Sequence, residues 1–286
     1  IHELSGSGDN VTYGAVPYYR MQKPHEVLNR LYPEFDFITS NTLDINEEVV
    51  KQTDLVLFTR TVTKADAEIV NGWGKPWGVD IDDYWYLPED HILFNHYKEN
   101  KLAEKIEYGL THAHFVITTT EILADKVSKL NKNVYIIENG IDTKDPAWQS
   151  NKIKSNRVRF GFTQGTTHVP DLMLIEKSVS ESFKDSKFIH NGQIVLCGFH
   201  AKFNEPSVSV GYERGLTDNL SVIESLYPNY VKSLKKIKPV NGNSYPYKRV
   251  YGVDVNAFGY IHNELDIIVA PLAANEFNSC KSNIKM

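Results

Sequence analysis

The chain has 286 residues, 41% of them hydrophobic and 23% charged, with 31 Lys and Arg against 36 Asp and Glu for a net charge of -5. That balance excludes a disordered polyelectrolyte and, with no run of basic residues, a nucleic-acid groove. Two cysteines exclude a disulfide framework and fit a reducing compartment; no apolar stretch is long enough to span a bilayer, so the expected setting is cytoplasmic, at most peripheral to a membrane.

Short apolar runs alternate with helix-length amphipathic stretches, the pattern of parallel sheets covered by helices. Strands are expected at "FDFITS" (35–40), "DLVLFTR" (54–60) and "PWGVDID" (76–82), each β-branched or aromatic and flanked by polar turns. A helix follows over 99–113, with Leu102, Ile106 and Leu110 at helical spacing, then a strand over 114–120. Thr118 and Glu121 read as a capping box for the next helix. "NVYIIENGID" (133–142) is a strand ending in an Asn-Gly turn, and the polar segment 142–156 reads as a linker. The rhythm restarts with a strand at "RVRFGF" (157–162), a turn and a helix with Pro170 near its start, a strand at "QIVLCGF" (193–199), and a helix and strand over 254–272. The stretch 200–250, rich in Tyr, Pro and Gly, gives no clear elements. Two α/β halves joined by a hinge imply two Rossmann-like domains facing a ligand cleft.

Two stretches resemble anion sites. In "GFTQGTTHVPDL" (161–172) a strand runs through Gly165, Thr166, Thr167 and His168 into a helix, so free backbone N–H groups and hydroxyls converge where a phosphate can sit. In "IIVAPLAANEFNSCKSNIK" (267–285) a strand leads through an Asn-rich turn to Lys281, Ser282 and Asn283, read as the first turns of a second helix. A cation there runs against the helix dipole unless it faces a bound anion. Each stretch alone is also an ordinary capped helix; two of them in one half favour a shared anionic ligand.

The closing stretch resembles the D-I-x-x-x-P-L…F-N-x-x-K-S-x-x-K segment of retaining GT-B glycosyltransferases of the "glycosyl transferases group 1" type (family four), at Asp266, Pro271, Leu272, Phe277, Asn278, Lys281, Ser282 and Lys285. "GTTHVPDL" is similar to the turn that opens that family's donor domain, at Gly165, Thr166, His168, Asp171 and Leu172. "IENGID" resembles its hinge, with Glu138 where Pro is usual. "GVDIDDYWYLP" resembles a D-x-D-D segment and "GAVPYYRMQKPHEVL" an opening turn and helix of its acceptor domain. Cys280 stands where the family carries an acid, and a ribose-binding Glu would fall just past Met286.

The resemblance implies a GT-B-like α/β fold with an acceptor domain at 1–142 and an incomplete donor domain at 143–286. It implies transfer of a sugar from a nucleoside diphosphate sugar to a carbohydrate or lipid-linked acceptor with retention, without metal or other cofactor. The diphosphate is expected on Gly165, Thr166, Thr167, His168, Lys281, Ser282 and Asn283, with Gly14 on the opposite wall and Asp83 as the catalytic candidate. Asp80, Asp82 and Asp83 equally read as caps for the next segment. A catalytically inactive nucleotide- or sugar-binding module and a nucleotide-sugar epimerase are the alternatives. The chain itself reads as a fragment cut at both ends, weakly active, with an open sheet edge suited to homodimerisation.

Overall fold

The structure, a computed structural model, describes residues 15–39, 46–91, 93–163, 168–199, 247–251 and 253–282. These residues divide into two compact units: one formed between Tyr13 and Ile141 together with Ala274–Ile284, the other between Asp142 and Ala273. Both are α/β, each built on a parallel sheet of Rossmann-like type. Among the described residues, no helix is long and apolar enough to cross a membrane.

In the first unit β1 (Val56–Thr59), β2 (Trp77–Ile81), β3 (Phe115–Thr118) and β4 (Val134–Ile136) pair in that order, all parallel. Every residue of β2 is buried, as a central strand covered on both faces requires. The core packs Val79, Ile81 and Val116 against Ile106 and Leu110 of helix Leu102–His112 and Leu123 and Val127 of helix Glu121–Val127. Helix Lys64–Gly72 starts at a capping box in which Thr63 accepts from the Asp66 N–H at 3.1 Å and Asp66 accepts in return from the Thr63 N–H.

In the second unit β5 (Val158–Phe162) lies between β6 (Gly192–Phe199) and β8 (Ile267–Ile268), with β7 (Tyr247–Tyr251) outside β6. The order among the described strands is therefore β7-β6-β5-β8, all parallel. Chain order runs outward from β5 to β7 and then reverses to the other side, a topological switch point between β5 and β8. Within β5, a Cβ on Gly161 would come within 2.3 Å of the Leu265 side chain, so glycine allows Leu265 to seat in the core.

Several expectations change. Residues 35–39 form no strand, because the Asn29 side chain takes both the N–H (2.7 Å) and the C=O (2.9 Å) of Phe37 that a ladder would have used. The N-cap before Glu121 is Thr120, whose Oγ1 accepts from the Leu123 N–H at 3.2 Å; Thr118 is the last residue of β3. The helix expected after Pro170 is two short ones, Val169–Met173 and Glu176–Ser182, broken where Ile175 leaves helical backbone values (φ -109°, ψ 4°). The segment before β8 is a 3-10 helix, Val255–Glu264.

The closing segment also differs. Asn275 Oδ1 accepts from the Asn278 N–H at 2.8 Å, so the helix runs over Glu276–Ser279 and Lys281 and Ser282 follow its last turn. At that end a cation suits the dipole, and no bound anion is needed to explain Lys281. The segment packs within the first unit: Cys280 is fully buried in its core, Phe277 stacks edge-on against His91, and Lys126 pairs with Glu276.

Candidate functional site

In the first unit, chemistry gathers at the carboxyl ends of the parallel strands. β2 places Asp80 in the strand and Asp82 and Asp83 just beyond it. Asp80, 2% exposed, receives two hydrogen bonds from Arg20, Nε to Oδ1 at 3.0 Å and a terminal nitrogen to Oδ2 at 2.5 Å. Burial pushes its carboxyl up and the guanidinium opposes that. The other terminal nitrogen of Arg20 donates to the Ile137 carbonyl (2.7 Å) and to Asn139 Oδ1 (3.1 Å). Asn139 Nδ2 donates in turn to Ser282 Oγ at 2.6 Å. One arginine thus joins the ends of β2 and β4 to the closing segment.

Arg60 leaves β1 with its backbone in the left-handed region (φ 64°), a conformation that costs a non-glycine residue about 1–2 kcal/mol. Its N–H donates to the Asp80 carbonyl at 2.8 Å, and its guanidinium reaches Asp83 at 3.2 Å. Lys281 Nζ meets the other Asp83 oxygen at 3.4 Å and lies 4.4 Å from the centre of the Phe277 ring. Asp83 is therefore clamped by two cations. Asp82 is not: its Oδ1 is buried with no hydrogen-bond partner, and the Arg60 guanidinium, 3.8 Å away, is too far to donate. Burial first, then the neighbouring Asp83 charge, pushes the Asp82 carboxyl up to about 6.

In the second unit the segments leaving β5 and β8 flank the switch point. His168 Nδ1 lies 2.7 Å from Asp171 Oδ2, and Asp171 Oδ1 accepts from the Ala273 N–H at 2.6 Å. His168 is 8% exposed and Asp171 3%. An ionised carboxylate only accepts, so an ionised Asp171 requires a proton on His168 Nδ1. At the opposite end of β5, Arg159 binds Asp266 through its N–H (2.9 Å), Nε (3.0 Å) and a terminal nitrogen (3.2 Å), which sets β8 in register. Asp266, matched by sequence to a glycosyltransferase motif, holds strands together.

Of the residues expected at the site, His168 lies in the second unit, and Asp83, Lys281 and Ser282 lie together in the first. Gly14, Gly165, Thr166, Thr167 and Asn283 fall outside the described residues. Sequence reasoning missed Arg20, Arg60, Asn139 and the Asp171–Ala273 link. Arg20, Asn139 and Asp171 stood in matched motifs without a role of their own; Arg60 carried no signal beyond being polar. Among the described residues no group of three or more His, Cys, Asp and Glu is arranged to hold a metal ion.

No protein-family model and no curated protein matches the chain. Among solved structures it is similar to a trehalose-6-phosphate synthase from work on enzymatic glycosyltransfer with retention, at 11% identity and a TM-score of 0.48, over 98% of this chain and 73% of that one.

Proposed function

We propose that this chain is a glycosyltransferase that takes a sugar from a nucleoside diphosphate sugar and passes it to a carbohydrate or lipid-linked hydroxyl acceptor, with retention and without a metal ion. The observation that carries the reading is the strand reversal between β5 and β8, with the segments leaving both strands tied by Asp171 to the Ala273 N–H. Open α/β sheets bind nucleotides outside the carboxyl ends of their strands at such reversals. The motif resemblance supplies the sugar transfer. It gives Gly165, Thr166, Thr167 and His168 of the second unit to the diphosphate; Lys281 and Ser282, matched by the same resemblance, lie in the first unit on Asp83 and Asn139.

Metal independence is supported by the donor set. Asp80 is engaged by Arg20, Asp83 by Arg60 and Lys281, and Asp171 by His168 and Ala273. Carboxylates already matched by cations and N–H groups have little left to offer a divalent ion. On the acceptor side, Asp82 suits proton transfer better than Asp83, because its carboxyl at about 6 is poised near neutrality and Asp83 is held between two cations.

The test is incubation with a panel of radiolabelled nucleotide sugars, with and without mono- and disaccharide or polyprenyl phosphate acceptors, in buffer and in chelator. Expected is label transfer that needs an acceptor and survives the chelator. Binding without turnover would favour an inactive sugar-nucleotide module, and conversion of the free donor an epimerase. Activity lost in chelator and restored by magnesium or manganese overturns metal independence.

A further inference from the structure

The two oxygens of Asp171 have separate partners. Oδ2 faces His168 Nδ1 at 2.7 Å and Oδ1 receives the Ala273 N–H at 2.6 Å. His168 precedes helix Val169–Met173, which follows β5, whereas Ala273 follows β8, so one carboxylate joins the segments on both sides of the strand reversal. All three groups lie in the second unit. A carboxylate 3% exposed is costly to bury unless its bonds are made, and here both oxygens make one. Neither bond is needed to hold the sheet: β8 is registered on β5 from the other end, by Arg159 and Asp266. What Asp171 sets is the geometry and protonation of the segments a nucleotide would meet.

We propose that Asp171 is the positioning residue of a nucleoside diphosphate site in the second unit, fixing the spacing of the β5 and β8 segments and the proton of His168 on Nδ1. This rests on the nucleotide-sugar reading above. With Nδ1–H given to Asp171, Nε2 is the acceptor nitrogen of the neutral imidazole.

Two substitutions separate the functions. Asp171→Ala removes both bonds. Asp171→Asn keeps an oxygen for the Ala273 N–H but offers an N–H to His168, which moves the imidazole proton to Nε2. The tautomer is read by 15N NMR of the labelled ring at alkaline pH, with no ligand present. Binding of uridine, guanosine and adenosine diphosphates is measured by calorimetry, and thermal unfolding shows that each variant is folded.

Expected are an Nδ1–H tautomer in the wild type and an Nε2–H tautomer in Asp171→Asn. Asp171→Ala should weaken binding of the preferred diphosphate by about ten- to a hundredfold, the scale of a lost charge-assisted hydrogen bond. Asp171→Asn, which keeps the tie, should bind more tightly than Asp171→Ala yet lose turnover to the level of His168→Ala, with no further loss in the double variant. An unchanged tautomer in Asp171→Asn, or unchanged diphosphate affinity in folded Asp171→Ala, overturns the positioning role alone. A wild type that binds none of the three diphosphates overturns the nucleotide reading, and the proposal with it.

Discussion

At the scale of single residues, the three acids at the end of β2 are alike in sequence and differ in what surrounds them. Asp80 is matched by an arginine whose side chain is buried, Asp83 by two cations, and half-buried Asp82 has one buried oxygen without a hydrogen bond. Burial and the Asp83 charge raise the folded carboxyl of Asp82 from 3.8 to about 6. Below 3.8 the group is neutral in both folded and unfolded chains and costs nothing. Between 3.8 and about 6 only the unfolded chain ionises, so stability falls as pH rises and the loss is complete above that window. The corresponding energy is about 3 kcal/mol. Asp82→Asn mimics the neutral carboxyl, so it should be up to that much more stable than the wild type at pH ~7 in denaturant unfolding, the gain vanishing in acid. It should also lose transfer if Asp82 accepts the acceptor proton. Equal stability at both pH values would show that the carboxyl carries no such cost. A function retained at a cost in stability is common at working sites.

At the scale of elements, β8 is only two residues long, and its attachment to β5 depends on the Arg159–Asp266 lock. The hydrogen bonds from Arg159 come first among the effects that hold the Asp266 carboxyl well below the usual carboxylate range. For an acid with a lowered folded value, the stabilisation is present above its unfolded value and is lost as pH falls. Asp266→Asn should therefore cost about 2 kcal/mol at neutral pH, discounted for partial exposure, and the gap to wild type should close in acid unfolding series. A gap that persists unchanged into acid would assign the loss to packing. Element types were largely legible in the sequence: β1 to β6 fall within or beside the expected strands, because short apolar runs between polar turns leave few alternatives. Caps were less legible. Thr118 and Thr120 are equally good N-caps by type, and only the pairing of Thr118 in β3 decides between them.

At the scale of the whole molecule, two separate clusters hold the two units, and each contains one cysteine. Cys280 is fully buried among Ile81, Leu123 and their neighbours, and Cys197 packs with Val195, Ile261 and Leu265. Burial pushes the Cys197 thiol up to about 12 and raises that of Cys280 as well, so neither is a ready nucleophile in the folded protein. Both should resist alkylation natively and react on unfolding, which makes each a reporter of its own core. Val195→Ala, a cavity beside Cys197, should speed labelling of Cys197 by mass spectrometry several-fold and leave Cys280 at the wild-type rate. Equal acceleration of both thiols would mean that the two cores open together.

By itself the sequence determined the α/β class and the identity of most strands, because hydrophobic period and turn chemistry act over a few residues. It also marked Asp83, His168 and Lys281 as residues worth placing. Only tertiary structure decided that the segment after Ala273 packs in the first unit, that Arg20 and Arg60 neutralise Asp80 and Asp83 while one oxygen of Asp82 is left without a hydrogen bond, and that Asp171 bridges two segments 102 positions apart. Those outcomes depend on which side chains meet across long loops, and a local pattern carries no information about a partner that far along the chain.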